Sequence, residues 1–278
     1  MYHNDKFNVS HRDLNYDINL CSSNNMDTVF NAVRDHGIDK YEEPFTSIII
    51  EILKINPGIF MDVGANTGLY SLIAAAVDES IEVLAFEPLD SVRELLYINI
   101  NLNPHLASRI KVEPFALSQK KGTFQFYETI NKFEFISTSS SLEKRHAAEV
   151  GDSYVERKIK TCKLNDYLKK VGEAPISFIK IDVEGHEHAV ISGGRKFLSE
   201  KRPIFSVEIL ANSEKETINS FVREENYLTF SMNRKSLRQC SKVEFFSDAW
   251  NHLVVPAEKI NQIFQLCRAL DLRIDIYP

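Results

Sequence analysis

The sequence predicts an α/β fold with a mostly parallel sheet and helices on both of its faces. Three observations predict it. From about Pro57 to Ile209, short β-like runs alternate with longer helix-like ones, the rhythm of βαβ crossovers. The strand Ile59-Phe60-Met61-Asp62-Val63 runs into Gly64-Ala65-Asn66-Thr67-Gly68 and then an Ala-rich helix, Leu69 to Val77. Ile176 to Val183 is apolar almost throughout, as a central strand covered on both faces must be.

The remaining elements follow in order. Met26 to His36 puts Val29, Phe30 and Val33 on one face, and Pro44 to Ile55 opens on a proline suited to a first helical turn. Residues 1–56 therefore read as an N-terminal helical extension, and residues 57–278 as the main domain. The second strand, Glu82 to Phe86, stops at Glu87-Pro88, and Ser91 to Asn101 is the next helix. Ile110 to Phe115 makes a third strand. Gly122 to Glu128 and Tyr154 to Cys162 alternate like exposed strands inside an insertion of about residues 119–162, with Asn131 to Glu156 expected as a flexible lid. A helix from about Glu187 to Ser199 follows the central strand. Ile204 to Ile209 is the fifth strand, Glu214 to Glu225 a polar-faced helix, Tyr227 to Val255 a set of antiparallel strands, and Ala257 to Leu270 a closing helix.

Composition sets limits on function. The 278 residues are 44% hydrophobic and 26% charged, the proportions of a folded domain and not of a disordered or collagen-like chain. Thirty-three Lys and Arg against thirty-nine Asp and Glu leave a net charge of −6, which repels a phosphate backbone and argues against nucleic acid as a partner. The four cysteines, Cys21, Cys162, Cys240 and Cys267, form neither a zinc-ligand spacing nor a dense disulfide framework. The polar start, Met1 to Asp17, and the shortness of the uncharged run Leu69 to Val77 predict a cytoplasmic protein without membrane partners.

The first chemical constellation is Asp62 to Gly68, at the carboxyl end of a strand where open α/β sheets bind ligands. Glu87 ends the next strand nineteen positions after Gly68, close to the ~20 expected of an acid that accepts from ribose hydroxyls. A dinucleotide fingerprint needs a second glycine where this chain has Asn66, whose side chain would crowd a pyrophosphate. S-adenosylmethionine carries no phosphate, so the substitution favours it over a nicotinamide. No triphosphate-binding G-x-x-x-x-G-K-[ST] run is present.

The second constellation is Asp182, Glu184, His186, Glu187 and His188, where the central strand runs into a helix. Methyl transfer to a hydroxyl needs alignment and loss of a proton, and His186, with an ordinary pKa near ~6.5, is a candidate base. Asp182 faces the expected cleft, and Glu208, ending the next parallel strand, is a second base or an acceptor anchor. The plainer alternative is that Glu187 complements the positive helix start while His186 and His188 cap it or are solvated. No metal is assigned, because adjacent residues at such a turn point different ways and no second ligand set declares itself. His252, beside Trp250, reads as packing or a pocket wall. Ser137, Thr138, Ser139, Ser140 and Ser141 read as a flexible polar loop or as donors to an acceptor.

Taken together, Asp62-Val63-Gly64-Ala65-Asn66-Thr67-Gly68, Phe86-Glu87-Pro88, Ala116-Leu117-Ser118 and Ile179-Lys180-Ile181-Asp182-Val183-Glu184-Gly185-His186-Glu187 resemble the FkbM family of S-adenosylmethionine-dependent methyltransferases. The resemblance covers about Tyr41 to Ile209, with an echo in Asn251 to Pro256. It departs at Leu164-Asn165-Asp166, where relatives often carry Leu-Asp-Asp. It implies a class I methyltransferase (Rossmann-like) fold with S-adenosyl-L-methionine as cofactor. Asp62, Gly64, Asn66, Thr67 and Gly68 would hold the methionine end, Glu87 and Pro88 the ribose, and Ala116 and Leu117 would lie near the adenine, with Asp182 orienting the methionine amine. It implies an acceptor hydroxyl on a natural product, glycan or polyketide, or alternatively a side-chain amide of a peptide. An NAD(P)-dependent oxidoreductase and a non-catalytic nucleoside-binding subunit are the other readings.

Overall fold

The helical extension expected over residues 1–56 begins instead as a β-hairpin. In the computed structural model, which describes residues 2–12, 14–23, 27–130, 139–151 and 153–276, Tyr2–His11 (β1) and Leu14–Ser23 (β2) pair antiparallel along their whole length. The cause is a period of two: Val9, Leu14, Ile18 and Leu20 are buried while the intervening Asn and Asp residues face water. Both expected helices follow. Thr28–His36 (α1) starts at Asp27, whose carboxylate accepts from the backbone N–H groups of Val29 and Phe30, and Met26 lies outside the described residues. Phe45–Ile55 (α2) has Pro44 just ahead of its first turn.

The main sheet is built as the alternation predicts. Its elements in chain order are Ile59–Val63 (β3), Leu69–Val77 (α3), Glu82–Phe86 (β4), Asp90–Asn101 (α4), Pro104–Ala107 (α5) and Ile110–Glu113 (β5). The insertion then supplies Ala116–Leu117 (β6), Gly122–Ile130 (β7), Lys144–Val150 (α6) and Ser153–Cys162 (β8). After Leu168–Val171 (α7) come Ile176–Ile181 (β9), Glu187–Lys201 (α8), Phe205–Glu208 (β10) and Glu216–Glu224 (α9). Tyr227–Asn233 (β11), Ser236–Cys240 (β12), Asn251–Pro256 (β13), Ile260–Leu270 (α10) and Arg273–Asp275 (β14) complete the described chain.

The nine strands lie in the order β14-β12-β11-β13-β10-β9-β3-β4-β5. From β10 to β5 every pairing is parallel, and the strand order reverses at β3, where β4 and β5 leave on one side and β9 and β10 on the other. Such a reversal opens a crevice beyond the carboxyl ends of the strands. β13 inserts antiparallel between β10 and β11. The sheet is Rossmann-like. All residues of β3 and β9 are buried, since helices cover both faces. One apolar cluster joins the hairpin, α1, α2 and α3 to one face, and a second joins α8 and α9 to the other.

The insertion is more ordered than an open lid. β7 and β8 pair antiparallel and β6 adds to β8 in parallel as a separate three-stranded sheet. Lys144–Val150 is a helix where a flexible stretch is expected, because it buries His146 and Ala147 against the turn after β9. Residues 131–138, including Ser137 and Thr138, lie outside the described residues. Among the described residues no helix is long and apolar enough to cross a membrane.

His252 is packing, as its setting in the sequence suggests. It lies on β13 between Val207 and Ser231, fully buried, with Nε2 donating to the Glu244 carbonyl at 2.8 Å and its ring stacked on Phe246. Burial holds its pKa down at about 4, below the 6.5 of a free imidazole. Between those values the unfolded chain takes up a proton that the fold refuses, so stability falls as pH drops through that window, by at most about 3 kcal/mol. Denaturant unfolding of the native chain and of His252→Gln at pH 7 and pH 4.5 checks this: the variant should lose less stability over the interval.

Candidate active site

A cavity of about 460 Å³ opens at the sheet reversal. Its first wall is the turn from β3 into α3. Gly64 has φ of 84°, and a Cβ there would meet the Asp182 carbonyl oxygen at 1.9 Å, so only glycine lets the β3 and β9 turns touch. Asn66 takes φ of 50° and satisfies it locally, its Oδ1 accepting from the Thr67 N–H at 2.8 Å. The Thr67 carbonyl accepts from Asn99 Nδ2, whose own Oδ1 accepts from the Cys21 N–H of β2. The N-terminal hairpin is thus tied by one asparagine to the back of this turn.

Glu87 is buried beside it. Its two oxygens accept from the backbone N–H groups of Asn66 at 3.1 Å and Leu89 at 2.9 Å, and burial outweighs those bonds and pushes its pKa up to about 7. The carboxylate therefore faces the cavity while locking the β3 turn to the end of β4. Pro88, Leu89, Val92, Ala116 and Leu117 give the adjoining wall an apolar surface.

The opposite end is acidic. Lys180, nearly fully buried, donates to Asp182 Oδ2 at 2.8 Å, lies 3.9 Å from Asp62 Oδ1, and has its ammonium 5.3 Å from the centre of the Tyr70 ring. Burial alone would lower its pKa, but Asp182, Asp62 and Glu42 together hold it above the ordinary lysine value. Asp62 also accepts from Ser71 Oγ at 2.7 Å, and burial raises its pKa despite Lys180. Glu42 accepts from the Tyr70 hydroxyl at 2.6 Å, and its pKa is raised by burial and by Asp182. Glu208 is raised well above the carboxylate range by burial and by Asp182, Glu184 and Glu187. Its Oε2 is buried with no hydrogen bond among the described residues.

The lid is pinned to the turn after β9. Ser141 Oγ donates to the Glu184 carbonyl at 2.7 Å, His146 Nε2 lies 3.2 Å from Glu184 Oε2, and Glu143 Oε1 lies 2.7 Å from His186 Nδ1. Glu184 has φ of 55°, and burial pushes its carboxyl to about 7 although His146 draws it down. Glu187, the first residue of α8, accepts from the Val183 and Gly185 N–H groups, both at 3.1 Å, and so fixes the turn ahead of the helix. His188 packs edge-on against His186.

Of the residues singled out in the sequence, Gly64, Asn66, Thr67, Glu87, Pro88, Ala116, Leu117, Asp182, Glu184, His186 and Glu208 line one cavity. Asp62 and Gly68 do not: Asp62 points behind the turn to Ser71 and Lys180, and Gly68 packs against Leu96. His186, expected as a base, is held by protein groups on both sides of its ring. Its second ring nitrogen lies 3.0 Å from Ser118 Oγ, so each nitrogen already has a protein partner and the ring bridges lid and sheet. The groups of this turn diverge in part: Asp182 and Glu184 converge with Glu208 of β10, one oxygen of each within 4.8 Å of the others, while Glu187 turns back to the backbone and His186 to the lid. Of the serines, Ser139 and Ser140 line the cavity, and Ser141 serves the lid.

Several cavity residues escape sequence reasoning. Tyr41, Glu42 and Tyr70 come from the N-terminal segment and α3, and His146 from the lid helix. Nothing in their spacing signals them. Tyr41 and Glu42 precede an ordinary amphipathic helix, and His146 stands in a run of charged residues.

Residues 62–238, more than half of the chain, match the sequence model of the methyltransferase FkbM domain. The methyltransferase sdnD of Sordaria araneosa is 27% identical over 179 residues, which cover 55% of this chain and 67% of that protein. The 2-O-methyltransferase NoeI of Sinorhizobium fredii is 24% identical over 166 residues, 57% of this chain and 66% of that protein. The chain thus spans about two thirds of those relatives. A crystal structure of methyltransferase FkbM from Methylobacillus flagellatus superposes with a TM-score of 0.46 at 16% identity, covering 71% of this chain and 43% of that one.

If Glu143 and His146 are what hold the lid, Glu143→Ala with His146→Ala should speed amide hydrogen exchange across residues 139–150 at least ten-fold. Exchange in β3 and β9 should not change. Equal acceleration in both regions would show that the pair supports the whole domain and not the lid.

Proposed function

Because the chain belongs to the FkbM methyltransferase family, we propose that it transfers the methyl group of S-adenosyl-L-methionine to a hydroxyl of a natural-product, glycan or polyketide acceptor. The observation that carries this reading is the position of Glu87, a buried carboxylate at the end of β4 that faces the cavity across from the glycine turn of β3. A carboxylate there can accept from both hydroxyls of a ribose.

The rest of the cavity fits the same ligand. The apolar wall of Leu89, Ala116 and Leu117 suits a flat base, and the turn from Gly64 to Thr67 lines the part of the cavity where an amino-acid end would lie. The acids beyond it, Asp182, Glu184 and Glu208, complement a positively charged sulfonium and ammonium. When bound, the cofactor supplies an activated methyl on sulfur. The chain's own task is then to align an acceptor oxygen with it, exclude water and accept hydrogen bonds from the acceptor.

Ser139, Ser140 and Leu142 of the lid segment and Trp250 and Asn251 at the start of β13 frame the side from which an acceptor enters. We choose transfer to oxygen over transfer to an amide nitrogen, whose N–H groups these carboxylates could hold as well. The name of NoeI, a 2-O-methyltransferase, agrees with that choice.

Calorimetric titration with S-adenosylhomocysteine, S-adenosylmethionine and NAD tests the reading. Saturable binding of the first two is expected, weakened at least ten-fold in Glu87→Ala and less in Glu87→Gln, which keeps one acceptor oxygen. Binding of NAD alone would overturn it in favour of redox chemistry.

A further inference from the structure

We propose that Asp182, Glu184 and Glu208 bind one hard divalent cation, of the Mg²⁺ or Mn²⁺ class, at the acceptor end of the cavity. The chemical use of this site rests on the methyltransferase reading, whereas its existence does not. Two independent observations point to it. The first is geometric: one oxygen from each carboxylate lies within 4.8 Å of the other two, on the wall of a cavity and not on an open surface. The arrangement is set by the backbone. The parallel register pairs Ser206 with Lys180 and Val207 with Ile181, so Glu208 and Asp182 leave adjacent strand ends side by side. The left-handed φ of Glu184 belongs to the turn that carries the third carboxylate.

The second observation is Glu208 Oε2, a buried carboxylate oxygen with no hydrogen-bond partner among the described residues. Native folds seldom leave such an atom alone, because an unpaired buried anion is costly unless it is protonated or coordinates a cation. The nearest basic groups already face the other two carboxylates of the cluster and leave Glu208 without one. Lys180 donates to Asp182 Oδ2 and lies beside Asp62, and His146 faces Glu184 Oε2. Three carboxylates with no sulfur or nitrogen ligand match Mg²⁺ or Mn²⁺ and not zinc. A second grouping, Glu143, His186 and His188, is a poorer site, since both nitrogens of His186 already have protein partners.

An octahedral ion held by three protein oxygens keeps about three positions for water or acceptor oxygens. It would polarise an acceptor hydroxyl and ease loss of its proton, a task for which His186 has no free nitrogen. In that step the acceptor O–H bond breaks and its proton passes to a water held on the ion, and from there to bulk solvent. The oxygen lone pair forms the O–CH₃ bond as the donor's S–CH₃ bond breaks, leaving a neutral thioether.

The test is a Mn²⁺ titration of the full chain, read by loss of the free-ion electron paramagnetic resonance signal, with and without S-adenosylhomocysteine. One saturable Mn²⁺ per chain is expected, displaced by excess Mg²⁺ and weakened at least ten-fold in both Glu208→Gln and Glu184→Gln, each of which keeps the thermal unfolding midpoint of the native chain within a few degrees. Absence of saturable Mn²⁺ binding overturns the proposal. So does binding that survives both substitutions but is lost in His188→Ala, which would place the ion at the other grouping. Failure of S-adenosylhomocysteine to bind while Mn²⁺ binds would instead sink the cofactor reading and leave the cation site standing.

Discussion

A buried ammonium among carboxylates is the constraint on which this site depends. Lys180 stands at the end of the central strand with Asp182 and Asp62 within ion-pair distance and the Tyr70 ring close by. Burying such a group unpaired would cost several kcal/mol. Once paired, it fixes the ends of β3 and β9 relative to each other, and hence the separation of the two turns that face the cavity. Gly64 answers the same demand from the backbone, because those turns approach too closely for any side chain. The N-terminal segment joins through Glu42 and Tyr70. Three stretches of chain distant in sequence therefore meet around one charge.

The lid relies on a different kind of contact. Its histidine–carboxylate pairs, His146 with Glu184 and His186 with Glu143, cross from the insertion to the turn after β9. The Ser118 hydroxyl beside His186 adds the segment after β6. Glu184, His146 and His186 line the cavity, so the contacts that hold the insertion also form part of its acidic end. Both histidines lie outside the apolar core, and each sets a carboxylate of one segment against the other.

What was legible in the sequence divides along the same line. The parallel strands and their acids could be read because local rules fix them: a strand buried on both faces must be apolar throughout, and a residue at its carboxyl end must face the crevice. Asp182, Glu87 and Glu208 followed from that alone. The hairpin over residues 2–23 was missed because its alternation is diluted by Asn and Asp on the outer face. Glu42 and His146 were missed because each reaches the cavity through tertiary packing. His186 was read as free because its partners, Glu143 and Ser118, lie 43 and 68 positions away.

The division has a functional side. The residues that would hold the donor, from Gly64 to Asp182, all fall within the stretch that matches the FkbM domain, residues 62–238. Tyr41, Glu42, Trp250 and Asn251 line the same cavity from outside it. A donor common to a family asks for the same turn and the same acid in every member, and strand ends supply these rigidly. An acceptor that differs between members asks for a wall that can change without disturbing those strands. Trp250 meets that need, because it lines the cavity half-exposed just ahead of β13, whereas Glu42 is bound into the Lys180 cluster and Asn251 pairs with Glu208 of β10.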